Sequence, residues 1–193
     1  MVLGLTGGIA CGKSTLALSL QEDGWRVVES DECAHALMQP GAENYQNVID
    51  LFGSAILNPD RTINRRALGE IVFGDSVLRE QLNQAVHPAI RRAWKSQRDY
   101  YRNQNPDQPI VIVIPLLFEL QMATEFDSTA CVACRPERQW HQLRQRGLSE
   151  KEARQRLQSQ WPLFEKIKAA TCVIWNEGSL EALAAQGRRL PRN

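Results

Sequence analysis

Residues 7–14 read Gly-Gly-Ile-Ala-Cys-Gly-Lys-Ser, a G-x-x-x-x-G-K-S pattern, and the apolar stretch Val2-Leu3-Gly4-Leu5 runs into it. Ser14 to Leu20 then reads as a helix. A strand, a glycine-rich turn and a helix start, in that order, make a phosphate site. Gly7 and Gly12 permit backbone angles that a side chain would forbid. The turn can therefore aim successive N–H groups inward as an anion-binding nest. The helix start adds unpaired donors and the positive end of its dipole. Lys13 can bridge β- and γ-phosphates, and Ser14 can ligate Mg²⁺.

Other residue types point to the same chemistry. Asp31 follows the second expected strand by about three residues, which sets it at the carboxyl edge of the sheet, one strand over from the phosphate loop. A kinase acting on a hydroxyl needs a proton acceptor near the γ-phosphate. Asp31 fits that task, could hold Mg²⁺ through water, and could also cap the helix that follows. Arg135, Arg138, Arg144, Arg146, Arg154 and Arg156 crowd one hairpin around Gly147-Leu148-Ser149. Such a hairpin reads as a lid that excludes water and brings guanidinium groups to the transferring phosphoryl. The plainer reading is a solvated face on which Glu150 and Glu152 pair with nearby arginines. Arg61, Arg65, Arg66, His87, Arg91 and Arg92 are candidates for an anionic substrate. Cys131-Val132-Ala133-Cys134 is a CxxC inside an expected strand, where residues three apart face opposite ways. With no second ligand pair nearby it reads as buried thiols rather than a zinc site. Cys11, in the loop near the helix start, reads as a loop filler; the alternative reading is an oxidation-sensitive thiol.

The elements that must position these groups follow from punctuation and periodicity. Strands are expected at Val2–Thr6, Trp25–Val28, Ile110–Ile114, Thr129–Cys134 and Thr171–Trp175. The unbroken run Ile110–Ile114 fits a parallel strand covered on both faces. Gly24 closes the first helix at C′, and Ser30 or Asp31 caps the next, which extends through Met38. Between Gly41 and Pro109 only helical patterns appear: Glu43–Phe52, Arg65–Phe73, Val77–Ala85 and His87–Asn103, with Pro88 in the last one's first turn. Ile90, Trp94, Gln97 and Tyr101 share a face there, and Trp94, Tyr100 and Tyr101 read as core. Further helices span Pro136–Arg146 and Glu150–Gln160. The expected fold is α/β, a three-layer sandwich with a parallel sheet of the P-loop nucleoside-triphosphate hydrolase/kinase type. Residues 1–40 and 107–193 form its core, 136–160 the lid, and 41–106 a helical substrate-binding insert.

The chain has 193 residues, 43% of them hydrophobic, enough for one compact domain. A formal charge of +1 offers no global field for a polyanion, so nucleic acid is not an expected partner. No run of about 18 apolar residues suggests a membrane span. A strand entered at Val2 leaves no room for a leader, and five scattered cysteines argue against a disulfide framework. The expected location is cytoplasmic.

At this point the residues resemble a known family, dephospho-coenzyme A kinase, over nearly the full chain. The matching stretches include Leu5-Thr6-Gly7-Gly8-Ile9, Gly12-Lys13-Ser14-Thr15, Ser30-Asp31, Ile63-Asn64-Arg65, His87-Pro88-Ala89-Ile90, Pro115-Leu116-Leu117-Phe118-Glu119, Arg156-Leu157 with Gln160, and Asn176-Glu177-Gly178-Ser179. Gly-Lys-Ser is shared by many nucleotide enzymes; the His-Pro and Pro-Leu-Leu-Phe-Glu stretches are far more specific. The resemblance implies transfer of the ATP γ-phosphoryl group to the ribose 3′-hydroxyl of dephospho-CoA, the last step of coenzyme A biosynthesis. It implies ATP and dephospho-CoA as partners, Mg²⁺ with ATP, and a monomer or weak homo-oligomer. On the matching positions Asp31, Lys13 and Arg146 would be catalytic. Gly8, Ala10, Cys11, Gly12, Lys13, Ser14 and Thr15 would wrap the phosphates, and Asn176, Gly178 and Ser179 would lie near the adenine. Arg65, His87 and Arg91, with Asp31, would meet the acceptor. The chain departs from the family pattern at several positions. Ala10 and Cys11 stand where Gly and Ser are frequent, and nothing forces a positive φ at Ala10. Glu29 stands where a first aspartate is common, Val113 where an aspartate sometimes occurs, and His35 and Gln142 where arginines are frequent. Two alternatives remain: another P-loop small-molecule kinase, which a substrate panel would expose, and a nucleotide-dependent switch module, which would hold or hydrolyse nucleotide without any small acceptor.

Overall fold

The computed structural model describes residues 1–192. Five strands form one sheet: β1 (Val2–Gly7), β2 (Arg26–Glu29), β3 (Ile110–Val113), β4 (Ser128–Ala133) and β5 (Cys172–Trp175). Their order is β2-β3-β1-β4-β5. β1 pairs in parallel with β3 (Val2 opposite Ile110) and with β4 (Leu3 opposite Ser128), and β4 pairs in parallel with β5. Every residue of β1, β3 and β4 is buried. Full burial is why these strands read as continuous apolar runs rather than alternating ones. The helices are α1 (Lys13–Glu22), α2 (Ser30–Leu37), α3 (Glu43–Phe52), α4 (Arg65–Gly74), α5 (Ser76–Gln104), α6 (Pro136–Gln145), α7 (Glu150–Gln158), α8 (Leu163–Ala169) and α9 (Leu180–Gly187). The architecture is the expected parallel α/β sandwich.

Two compact units divide the chain: Met1–Val28 with Arg98 onward, and Glu29–Gln97. In the first, Leu3, Leu5, Leu16, Leu20, Trp25, Val111, Val132, Ile174 and Leu183 build the main core. α1 ends as Gly24 enters the left-handed region (φ 90). Its N–H bonds Gln21 O, and the next N–H, of Trp25, bonds Leu20 O at 2.9 Å. This is a Schellman ending that needs glycine at C′, and it delivers the chain straight into β2. The second unit is helical, apart from an antiparallel bridge between Leu57 and Ile63. Its buried residues include Val48, Ile56, Leu68, Val86, Ile90 and Trp94.

Four expectations need correction. The helices expected at Val77–Ala85 and His87–Asn103 are one helix, α5, with Pro88 inside it. Proline forfeits one N–H bond, but Val86, Ala89, Ile90 and Trp94 are buried on both sides of it and hold the helix together. The cap of α2 is Glu29, which makes no side-chain cap bond; Ser30 and Asp31 are already helical. β3 lies between β1 and β2, so Asp31 follows a strand two places from β1, not one. Trp94 is core, but Tyr100 is 60% exposed, and Arg26 stacks over the Tyr101 ring. None of the helices in the described residues is long and apolar enough to cross a membrane.

Candidate active site

The turn between β1 and α1 has the geometry that its glycines imply. Gly7 (φ 146) and Gly12 (φ 101) adopt positive φ. A Cβ at Gly7 would stand 2.2 Å from the main-chain oxygen of Val132, and one at Gly12 would stand 2.2 Å from Asn176 Nδ2. At Gly7 glycine is therefore demanded by space as well as by angle, whereas at Gly12 a Cβ would displace the Asn176 amide. Ala10 is the surprise: it too is left-handed, at φ 60, contrary to the expectation that nothing forces it there. An L residue in that region costs about 1–2 kcal/mol. The methyl group gains burial in return, packing with Leu143 and Ala153. Lys13 Nζ donates to the carbonyl oxygens of Gly7 (3.0 Å) and Gly8 (2.9 Å), which folds the ammonium over the loop. Ser14 and Thr15 are exposed in the first turn of α1.

Side chains from distant parts of the chain fix this loop. Asn176, just after β5, donates to Cys11 O (2.9 Å) and accepts from Arg138 (3.3 Å), while its own N–H bonds Ala133 O (2.8 Å). Gln139 of α6, buried, donates to Ile9 O at 2.8 Å. Gln139 was not among the expected site residues. It lies one turn before Leu143 on the inward face of α6, so a polar residue on an apolar stripe was its signal. Ser179 spends its hydroxyl on capping α9, accepting from Ala182 N–H, and Gly178 is exposed beside it.

The arginine hairpin packs on the loop. α6 ends at Gly147 (φ 76), and a capping box of Ser149 and Glu152 starts α7. Leu143 and Ala153 meet Ala10, with Ile9, Trp140, Leu148 and Leu157 around them. Arg154 follows the plainer reading: it pairs with Glu150 at 2.6 Å and lies over the Trp140 ring. Arg144 and Arg146 are exposed, and Arg146 is the C-cap of α6.

A second group that sequence reading passed over lies behind the site. Lys166 of α8 is fully buried, donating to Glu119 Oε1 (2.8 Å) and to Pro115 O (2.7 Å). Thr6 Oγ1 donates to the same Pro115 oxygen, and Trp161 N–H donates to Glu119 Oε1. One ion pair thus ties β1, the turn after β3, and the α7–α8 connection. Its faint signal was Lys166 three residues after Leu163 on one helix face.

The helical unit holds the other expected residues. Asp31 is exposed in the first turn of α2. Arg65 lines a cavity of about 160 Å³ with His35, Met38, Gln39, Thr62 and Ile63. His87 is half-buried, and burial depresses its pKa against the opposing pull of Glu80. Arg91 is exposed. Arg66 pairs with Glu70 and Arg92 with Glu43 on the helix surface.

A parallel sheet whose first strand enters a glycine-rich phosphate loop, with an arginine-bearing hairpin seated on that loop, defines a P-loop kinase. The sequence profile of the family described as Dephospho-CoA kinase matches residues 1–182, and the chain belongs to that family. A Dephospho-CoA kinase of Lactobacillus johnsonii is 41% identical over 179 residues, 92% of this chain and 90% of that relative. Among solved structures, TT1252 from Thermus thermophilus is 32% identical, with a TM-score of 0.79 over 99% of this chain and 98% of that one. The Dephospho-CoA kinase from Campylobacter jejuni is 26% identical, with a TM-score of 0.68 over 97% and 94%.

Proposed function

We propose that this protein transfers the γ-phosphoryl group of ATP to the ribose 3′-hydroxyl of dephospho-CoA, releasing ADP and coenzyme A. The observation that carries the reading is the left-handed loop at Gly7, Ala10 and Gly12 with Lys13 folded over it, in a chain of this family. Gly8 to Thr15 wrap the triphosphate with main-chain N–H groups. Lys13 exchanges two neutral carbonyl partners for phosphate oxygens, and that charge-assisted bonding strengthens as negative charge builds on the transferring group. Asn176 holds the loop in shape and, with Gly178 and Ser179, borders the adenine. Arg146 reaches the phosphoryl group when the hairpin closes. Asp31 orients the acceptor hydroxyl and takes its proton. Arg65, His87 and Arg91 meet the anionic acceptor, and the Arg65 cavity supports this for the first of them.

Mg²⁺ accompanies ATP in this reading. The donor set suits that ion: the exposed Ser14 hydroxyl as protein ligand leaves a hard cation to keep its waters and phosphate oxygens. No cluster of three or more His, Cys, Asp or Glu residues that could cage a metal occurs among the described residues. The protein works in the cytoplasm as a monomer or weak homo-oligomer, which light scattering on the purified chain checks. Incubation with Mg·ATP and dephospho-CoA tests the reaction: coenzyme A and ADP should form in equal amounts. ADP release that is indifferent to dephospho-CoA would overturn the assignment.

A further inference from the structure

Two thiols meet beneath the phosphate loop. Cys11 Sγ and Cys134 Sγ are 3.4 Å apart, and both residues are buried, at 0% and 2% exposure. One belongs to the loop; the other directly follows β4. Cys131, three residues earlier on the same strand, faces the opposite way. Gln139 Nε2 lies 3.7 Å from Cys11 Sγ, and a methyl group added at Gly8 would stand 2.7 Å from that sulfur. Gly8 and Gln139 themselves line a groove of about 430 Å³, together with Leu157, Gln160 and Trp161. The groove thus reaches two residues, Gly8 and Gln139, that lie against the Cys11 sulfur.

We propose that Cys11 and Cys134 form a redox modification site, at which a peroxide converts the pair to a disulfide that distorts the phosphate loop and weakens ATP binding. The proposal rests on the loop being the triphosphate site. The chemistry balances with one hydrogen peroxide. Cys11, as thiolate, attacks a peroxide oxygen; the O–O bond breaks, and the departing hydroxide takes a proton to become water. Cys11 is left as a sulfenic acid. The Cys134 sulfur then attacks Cys11 Sγ, losing its proton as the S–O bond breaks and a second water leaves. The roles follow from the surroundings. The hydrogen bond from Cys134 and the charge of Lys13 favour the Cys11 thiolate against its burial, whereas that same hydrogen bond and burial push the Cys134 thiol up.

A disulfide needs its sulfurs at about 2.05 Å, so they must close by about 1.3 Å. β4 is paired on both sides, by β1 and β5, so the loop is the partner that yields. Cys11 N–H bonds Gly8 O, and Cys11 O accepts from Asn176; both contacts shape the nest. Where reacting groups must be positioned, a misplacement of about 1 Å can cost about 10²-fold in rate, and a nest of N–H donors loses bonds to its anion when its shape changes.

The test treats the intact protein with hydrogen peroxide, blocks remaining thiols, and maps linked peptides by mass spectrometry. ATP affinity is measured by calorimetry before oxidation, after it, and after dithiothreitol. A Cys11–Cys134 linkage is expected, with ATP affinity at least ~10-fold weaker and restored on reduction. Cys134→Ala should bind ATP like the wild type when reduced and show no reversible loss after peroxide. Five unmodified thiols after treatment, a linkage between other cysteines, or a Cys11–Cys134 linkage with full ATP affinity would overturn the proposal. The wild-type map stands whether or not the variant folds. Failure of the reduced protein to bind ATP would count against the triphosphate reading of the loop, while the peptide map still judges the thiol pair.

Discussion

Lys13 carries the charge argument at the level of single residues. Its ammonium rests on two carbonyl oxygens of its own loop, so Lys13→Ala removes the cation while leaving the backbone nest in place. Turnover should fall by about 10²–10⁴-fold in steady-state assays, because positioned charge is the main catalytic device in phosphoryl transfer. Asp31→Asn keeps the shape and loses the carboxylate that the proposed mechanism uses as proton acceptor. It should lower kcat by about 10²-fold or more while shifting ATP affinity little; equal turnover by the variant would remove Asp31 from the mechanism. The positive-φ positions at Gly7 and Gly12 were legible in the sequence because the angle forces the residue type locally. Ala10 was not. Its left-handed angle is imposed by the turn, and the compensation comes from Leu143 and Ala153, more than 130 positions away. Gln139 and Lys166 were hidden for a related reason. A buried polar side chain is identified by its partner, and the partners, Ile9 O and Glu119, belong to other elements.

Elements with sharp punctuation, such as α1 and α3, were readable almost to the residue, whereas α8 and α9 were not singled out. α8 has seven residues, two turns only, and its place depends on the buried pair with Glu119. Lys166→Met would strand that carboxylate in the interior. Loss of one partner of a buried pair typically costs about 3–5 kcal/mol, and urea unfolding should show it. Adding Glu119→Gln should recover part of the loss, since no uncompensated charge then remains. Pro88 misled the reading of α5 because a proline ordinarily marks a boundary, and only the buried stripe on either side of it overrules that. His87, its neighbour, gives the helix a pH dependence. Burial lowers its folded pKa beneath the unfolded value of about 6.5. Between those two values the unfolded chain binds more protons, so this contribution to stability is present above about pH 6.5 and is lost as the pH falls through that window. His87→Gln should flatten the drop in Tm between pH 7 and pH 5; an unchanged slope would remove His87 as its source.

Taken whole, the fold was legible because alternating strands and helices around a phosphate loop admit few arrangements. The strand order was less so: the position of β2 outside β3 is decided by crossovers rather than by any residue. Nucleotide binding should register across the sheet unit, since the loop is braced from α6 and from the turn after β5. At ATP concentrations about 100 times Kd the gain is about 2.7 kcal/mol, or roughly 5–10 °C in Tm for a chain of this size. A thermal-shift titration checks it, and the Lys13→Ala variant should show a much smaller rise. The bracing has a further consequence in time. Residues 7–14 leave the ribosome early, yet Gln139 and Asn176, which hold them in shape, are made far later, and β1 gains its neighbours only when residues 110–113 and 128–133 emerge. A nascent chain stalled before Asn176 should therefore be unable to retain nucleotide, even though the whole glycine-lysine-serine signature has already been translated.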